Sequence, residues 1–481
     1  MRFLTILFIS SLSTITAFTQ NAIQSKANQL AQSEIMKYGQ LGVYVVEVNS
    51  GRVLATNEAN KSLIPASTVK AIVTASALKM LGANYQFKTE LQYDGIISNG
   101  VLKGNLYIKG YGDPTLGSDQ MDEVDDIEAV QQAWIAAIKK VGIRQIDGAI
   151  VGDGSYFKGN IAGKSWQWND LGNYYASGAW GLNFHENLYY LYFQKTSNIG
   201  GTPKVVRTQP RIPNLRFVNE LKSAGSRTGD NAYIYGGPYA ETRFIRGTIP
   251  AGSGTFKIKG SIPDPPFLAA HSLLTALENA GIPTQKRALT HIEVSQKSRR
   301  QILHTHYSPT LSEIAKRANH KSVNLYCEAM IRAIGAKNSA KNSLEGGIEA
   351  IEEYWEGQGL DISGFFLTDG SGLSPRNGIT PSQMAGILKL VARDRALFNT
   401  FYATLPIGGQ SGTVKYLFKG TAAAGNIRAK SGSLGRVRSY TGYAKSASGK
   451  LLAFSVIANN YKGSSRTVRR ELEKLMVSFC Q

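Results

Sequence analysis

Cysteine is nearly absent from this chain: only Cys327 and Cys480 occur in 481 residues. That scarcity excludes a disulfide-stapled scaffold and a cysteine-rich zinc module, although an oxidising compartment would permit a Cys327–Cys480 bridge. Acidic residues are also short, 34 Asp and Glu against 54 Lys and Arg, which leaves a formal charge of +20. Such a surplus suits polyanionic surroundings: nucleic acid, anionic lipid or an acidic wall polymer. Long apolar runs are missing, and no stretch reaches the roughly 20 residues a bilayer crossing needs. The chain is therefore expected to be peripheral to a membrane at most. There is no Gly-x-Ser-x-Gly elbow, so a histidine-dependent hydrolase has no anchor. Internal repeats and low-complexity tracts are absent too. What remains is 42% hydrophobic residues, ample for a core, in a length that predicts two to four domains.

The first residues read as an export signal. Arg2 supplies one positive charge, Phe3 to Ile9 form a short apolar run, and small and polar residues follow to Thr19. Residues 1–20 are assigned as a signal peptide, which places the mature chain in the periplasm or another export compartment. Further on, Gly42–Val48 and Arg52–Thr56 form a hairpin pattern around Asn49-Ser50-Gly51. The spacing of Val69, Ile72, Val73 and Leu78 predicts a helix over Ser67–Leu81, and Asp125–Lys140 reads as another. From Gly154 to Gly260 short alternating runs rich in Gly, Tyr, Asn and Trp suggest a sheet-rich module. Pro263-Asp264-Pro265-Pro266 is a stiff break, after which helical periods return. Three late strand patterns, Ile427–Lys430, Ser439–Ala444 and Leu451–Asn459, precede an amphipathic terminal helix with Val468, Leu472, Leu475 and Met476 on one side. Both ends of the chain thus predict one antiparallel sheet covered by helices: an α+β fold with an insertion over 86–263 and the main domain over 21–85 and 264–481.

Chemistry concentrates in three short motifs. Ser67-Thr68-Val69-Lys70 opens a predicted helix, where positions i and i+3 share a face, so an amine reaches a hydroxyl. Serine is a weak nucleophile and needs a base, which an amine becomes when burial or a nearby cation lowers its pKa. Ser76–Lys79 and Ser155–Lys158 have the same spacing and read as surface pairs. Ser322-Val323-Asn324 precedes a helix and offers a hydroxyl and an amide. Lys430-Ser431-Gly432 lies on a strand, where glycine permits close backbone approach; Arg227-Thr228-Gly229 is a bland match to the same pattern. Ser-x-x-Lys, Ser-x-Asn-like and Lys-Thr-Gly triplets, in that order, mark penicillin-interacting serine enzymes. His304 and His306 share a strand face without a third ligand nearby, so neither a metal nor a cofactor is expected.

The surrounding stretches Lys109–Leu116, Val151–Ser155, Asp369–Ser374 and Leu405–Thr413 closely resemble the low-molecular-mass class C penicillin-binding proteins, which are D-alanyl-D-alanine carboxypeptidases and endopeptidases. The resemblance runs from about residue 25 to the C-terminus. It implies a transpeptidase-like α+β domain, with the insertion between the first two motifs folding as two smaller domains. It implies Ser67 as the nucleophile, Lys70 as its base, Ser322 as the proton relay, and Asn324 as the holder of the substrate amide and the Lys70 amine. Lys430 and Ser431, beside Gly432, would take the terminal carboxylate. The N–H groups of Ser67 and Ser433 would form the oxyanion hole. Ser431 stands where the family commonly has Thr, which keeps the hydroxyl. Arg376 stands one place away from a basic residue of many relatives. Trp166, Trp168 and Asp170 resemble a stretch approaching the cleft, with Asp170 as a receptor for a diaminopimelate amine. The implied partners are peptidoglycan stem peptides and, as covalent inhibitors, β-lactams, with no nucleic acid. The alternatives are an idle wall-binding relative, which penicillin would not acylate, and a β-lactamase-like hydrolase, which would turn penicillin over rapidly.

Overall fold

The computed structural model describes residues 22–294, 299–339 and 341–481, so the expected signal peptide lies outside the described residues. The chain falls into two compact units. The first comprises the residues up to Asn84, Leu311–Val323 and Glu345–Gln481, and the second comprises Tyr85–Thr310 and Asn324–Leu344.

The first unit is built on a five-stranded antiparallel sheet in the order Ile427–Leu434, Val437–Lys445, Leu451–Asn459, Gln40–Glu47 and Val53–Asn57. Early and late parts of the chain therefore share one sheet, as the strand patterns predict. A helix over 22–31 and the terminal helix Ser465–Val477 bury Ile23, Ala27, Leu30, Val468, Leu472, Leu475 and Met476 in one core with Val43, Val45, Phe454 and Val456 of the sheet. The terminal helix uses the predicted apolar stripe and is capped by Ser464, whose hydroxyl accepts from the Thr467 N–H. The helix Val69–Met80 is buried almost all round, with only its last residues reaching the surface, as befits an element at the centre of a domain. Its neighbours include Leu311–Lys321, Pro381–Arg393 and Arg395–Thr404.

In the second unit a five-stranded mixed sheet runs Ala288–Thr290, Ile150–Asp153, Leu106–Gly110, Lys88–Tyr93 and Gln301–Tyr307. The helices Ile127–Lys140 and Pro265–Asn279 pack here. Pro265 and Pro266 occupy the first turn of the second of these helices, where a missing N–H costs nothing, and Asp264 caps it. Three further sheets occur among the described residues of this unit: Ile96–Ser98, Val101–Lys103 and Gln145–Ile146 in one, Lys204–Gln209, Leu188–Gln194 and Thr255–Ser261 in the next, and the strands gathered around Thr242–Pro250 in the last.

The helix Asn324–Asn338 is fastened within this unit by polar groups. His185, Glu186 and Asn187 take consecutive left-handed φ values of 52°, 52° and 54°, a costly run for residues with a Cβ. The turn buries the Glu186 carboxylate, which accepts from Ser118 at 2.7 Å and from Tyr326 at 2.5 Å. One turn further along the helix, the buried Arg332 pairs with Glu328 at 3.1 Å and donates to the Asn160 carbonyl at 2.9 Å. Cys327 and Cys480 are both buried thiols not joined in a disulfide, and burial pushes the Cys480 thiol up to about 12. Among the described residues no helix is long and apolar enough to cross a membrane, and no three His, Cys, Asp or Glu side chains gather as a metal site.

Candidate active site

Ser67 sits in a single 3-10 turn, Ala66–Thr68, that leads directly into Val69–Met80. Ala66 has a left-handed φ of 47°, so the turn holds strain of about 1–3 kcal/mol that its surroundings must offset. Three restraints do so. Thr68 and Ser439 both donate to the Pro65 carbonyl, at 2.7 and 2.5 Å, and the loop at Gly372 packs on the turn. A Cβ at Gly372, whose φ is 76°, would lie 2.0 Å from the Ala66 oxygen. One helical turn on, the fully buried Lys70 amine reaches the Ser67 hydroxyl at 2.9 Å and the Ser371 carbonyl at 2.5 Å. That carbonyl is held in place by Asp369. Its Oδ1 accepts from the Gly372 N–H (2.7 Å) and the Asn377 amide (2.8 Å), and its Oδ2 from the Ser374 N–H (2.6 Å).

The other two motifs deliver a second lysine–serine pair. Ser322 follows the helix Leu311–Lys321 with a left-handed φ of 59°, and its hydroxyl receives the Lys430 ammonium at 2.9 Å. Lys430 is also fully buried, and it reaches the Ser431 carbonyl at 2.7 Å. The first unit thus holds two lysines without solvent exposure, each on the hydroxyl of a serine singled out by the motifs.

Ile427–Leu434 is an edge strand. Its Ala429 N–H donates outward to the Pro406 carbonyl at 3.0 Å. By the two-residue period of a strand, the N–H groups of Ser431 and Ser433 face that same edge. An edge of this kind can accept an extended peptide as an added strand. Ser431 hydrogen-bonds Thr413 at 2.8 Å. Gly432 is needed for a reason other than substrate approach: a Cβ there would stand 2.7 Å from the Pro65 oxygen and 3.0 Å from the Ser67 nitrogen. The glycine lets the Ser67 turn lie against the strand. Arg376 is exposed, with its backbone N–H on the Ser374 hydroxyl at 3.0 Å.

Asn324 and Asp170 belong to the second unit and are linked through Tyr175. The Asn324 amide donates to the Tyr175 carbonyl at 2.7 Å, and the Tyr175 hydroxyl donates to Asp170 at 2.9 Å. Burial raises the Asp170 carboxyl above its ordinary range, against the lowering effect of the Tyr175 hydrogen bond. Asp170 is half-buried and bonded. The competing motif matches have structural partners. Ser76 accepts from Trp355 at 2.9 Å, Lys79 pairs with Asp394 at 2.7 Å, and Ser155 accepts from Lys109 at 2.6 Å. Sequence reasoning missed Thr413, Ser439 and the roles of Asp369 and Tyr175. For Asp369 the signal was the acidic residue opening a Gly-Ser-Gly turn. The other three leave no local signature.

A serine hydroxyl served by a buried lysine in place of histidine, on a helix beside an antiparallel sheet whose edge strand carries Lys-Ser-Gly, defines a serine acyl-transfer enzyme of the penicillin-interacting class. The model of the D-Ala-D-Ala carboxypeptidase 3 (S13) family matches residues 23–481. The chain is 27% identical over 433 residues to the D-alanyl-D-alanine carboxypeptidase of Actinomadura sp. strain R39, covering 88% of this chain and 78% of that one. It is likewise 27% identical over 426 residues to D-alanyl-D-alanine carboxypeptidase DacB of Haemophilus influenzae, covering 88% and 85%. The crystal structure of penicillin binding protein 4 from H. influenzae superposes with a TM-score of 0.80 at 26% identity, over 93% of this chain and 97% of that one. The chain belongs to the D-Ala-D-Ala carboxypeptidase 3 (S13) family; it is a serine-type DD-carboxypeptidase of the low-molecular-mass class C penicillin-binding proteins.

Proposed function

We propose that this chain is an exported periplasmic enzyme that removes the terminal D-Ala of peptidoglycan stem peptides, cuts D-Ala cross-links, and is acylated by penicillin, all through Ser67. The observation that carries this reading is the pair of buried contacts, Lys70 to Ser67 and Lys430 to Ser322, each 2.9 Å. Lys70 serves as the base, kept neutral by the second cation, Lys430. Lys70 then takes the Ser67 proton as Oγ attacks the carbonyl carbon of the penultimate D-Ala. The N–H groups of Ser67 and Ser433 receive the oxyanion, a contribution worth about 10²–10³ in rate per donor. The C–N bond breaks, and the departing amine takes a proton passed through Ser322. Water, deprotonated by the same base, then cleaves the ester and frees Ser67. Lys430 and Ser431 hold the substrate's carboxylate, with Gly432 keeping the strand close. Asn324, two residues after Ser322, takes the peptide amide. Asp170 receives a side-chain ammonium, and Arg376 adds a cation at the rim.

The test is release of D-Ala from a peptide ending in D-Ala-D-Ala, run beside a cross-linked dimer as the endopeptidase arm. Wild type releases D-Ala and Lys70→Ala does not. Equal release by both proteins would remove Lys70 from the mechanism.

A further inference from the structure

The second unit contains a groove of about 430 Å³ that the peptidase chemistry leaves unused. Tyr174 and Tyr233 line it and are 47% and 42% exposed, which leaves aromatic faces available to a ligand. Lys257 and Lys259 rise from the strand Thr255–Ser261, their ammoniums 4.6 and 5.3 Å from the ring centre of Tyr190. Lys259 also lies 5.5 Å from the ring of Tyr174. Asp230 and Asn231 add polar groups to the wall. On the strand Asn231–Tyr235, Tyr233 and Tyr235 share a face, and Tyr235 stacks at 4.8 Å on Trp168, which is 61% exposed.

We infer that this groove binds the glycan strand of peptidoglycan, a chain of acetylated amino sugars bearing carboxylates. The inference rests on the substrate class proposed above and extends it from stem peptide to glycan. Sugar rings have apolar C–H faces and a polar rim, so they need flat aromatic faces interleaved with amide, carboxylate and ammonium groups. Charge agrees, since the lysines face a polymer made anionic by its stem-peptide carboxylates or, where the peptide is removed, by free lactyl carboxylates, and the whole chain carries +20. Position agrees as well. The turn Tyr174–Ala176 forms part of the groove wall, and its Tyr175 carries both the Asn324 amide on its carbonyl and Asp170 on its hydroxyl. One turn therefore serves the glycan groove and the second-motif asparagine.

Calorimetric titration of the full chain with glycan strands stripped of peptide by an amidase tests this without catalysis. Wild type binds, and a Tyr233→Ala, Lys257→Ala double variant binds at least about 10-fold more weakly, while penicillin acylation of Ser67 proceeds at the wild-type rate as a control for folding. No binding by wild type, or equal binding by the variant, overturns the inference. So does equally tight binding of polyglutamate, which would make the groove a general anion site. Glycan binding that needs Tyr233 and Lys257 in a protein that penicillin fails to acylate would sink the peptidase reading and leave the groove assignment standing.

Discussion

Gly432 shows most sharply how one residue type can decide an active site. Its missing side chain leaves room for the Pro65 oxygen and the Ser67 nitrogen, each within 3.0 Å of where a Cβ would be. Gly432→Ala must push the Ser67 turn and the edge strand apart, which separates the Ser67 and Ser433 N–H groups proposed to receive the oxyanion. Misplacement on the order of 1 Å costs about 10²-fold in rate. Penicillin acylation of this variant should slow by at least that factor, with near-wild-type thermal unfolding; an unchanged rate would show that the two elements need not touch. The three motifs were legible because each is contiguous and bears its own chemistry. Thr413 and Ser439 were not, since each acquires its role only when distant strands and loops meet.

At the scale of elements, most boundaries followed from apolar spacing and caps. The terminal helix and the late strands lie where their patterns put them. The helix Arg395–Thr404 escaped detection because Asp394 ends the preceding helix and caps the next, so the break is a single residue in a charged stretch. The proline cluster at 263–266 looked like a stiff break, yet it opens a helix whose cap carries a pH signature. Burial pushes the Asp264 carboxyl up to about 6, with the Phe267 N–H pulling it down and Glu293 adding to the rise. A carboxyl with a raised folded pKa keeps its proton while the unfolded chain loses one. Stability therefore falls as pH climbs from about 4 to about 6. Asp264→Asn keeps a capping oxygen without the charge. It should be more stable than wild type at pH 7 by about 2–3 kcal/mol, with the gap closing near pH 4. Urea unfolding at the two pH values measures this; a constant gap would mean that Asp264 does not titrate in this window.

For the whole molecule, the α+β class and the shared sheet could be read from the strand and helix patterns of the two ends. The assignment of Asn324–Leu344 to the second unit could not, because it depends on Tyr326 meeting Glu186 and Arg332 meeting the Asn160 carbonyl, each across more than a hundred residues of sequence. The +20 charge has a consequence of its own. Attraction between exposed charges is screened within about 10 Å at 0.1 M salt. Raising salt from about 0.01 to 0.2 M should slow D-Ala release from intact sacculi severalfold while changing release from a tripeptide whose only charge is its terminal carboxylate far less; equal sensitivity of both would assign the effect to the active site. The most direct test of Ser67 as nucleophile is the intact mass of the mature protein after brief benzylpenicillin exposure, beside Ser67→Ala. Wild type alone should gain the mass of one penicilloyl group and keep it. An adduct on both proteins would contradict Ser67 as the nucleophile; no adduct on either would contradict a penicillin-trapping peptidase, with hydrolysed penicillin pointing to a lactamase and untouched penicillin to an idle site.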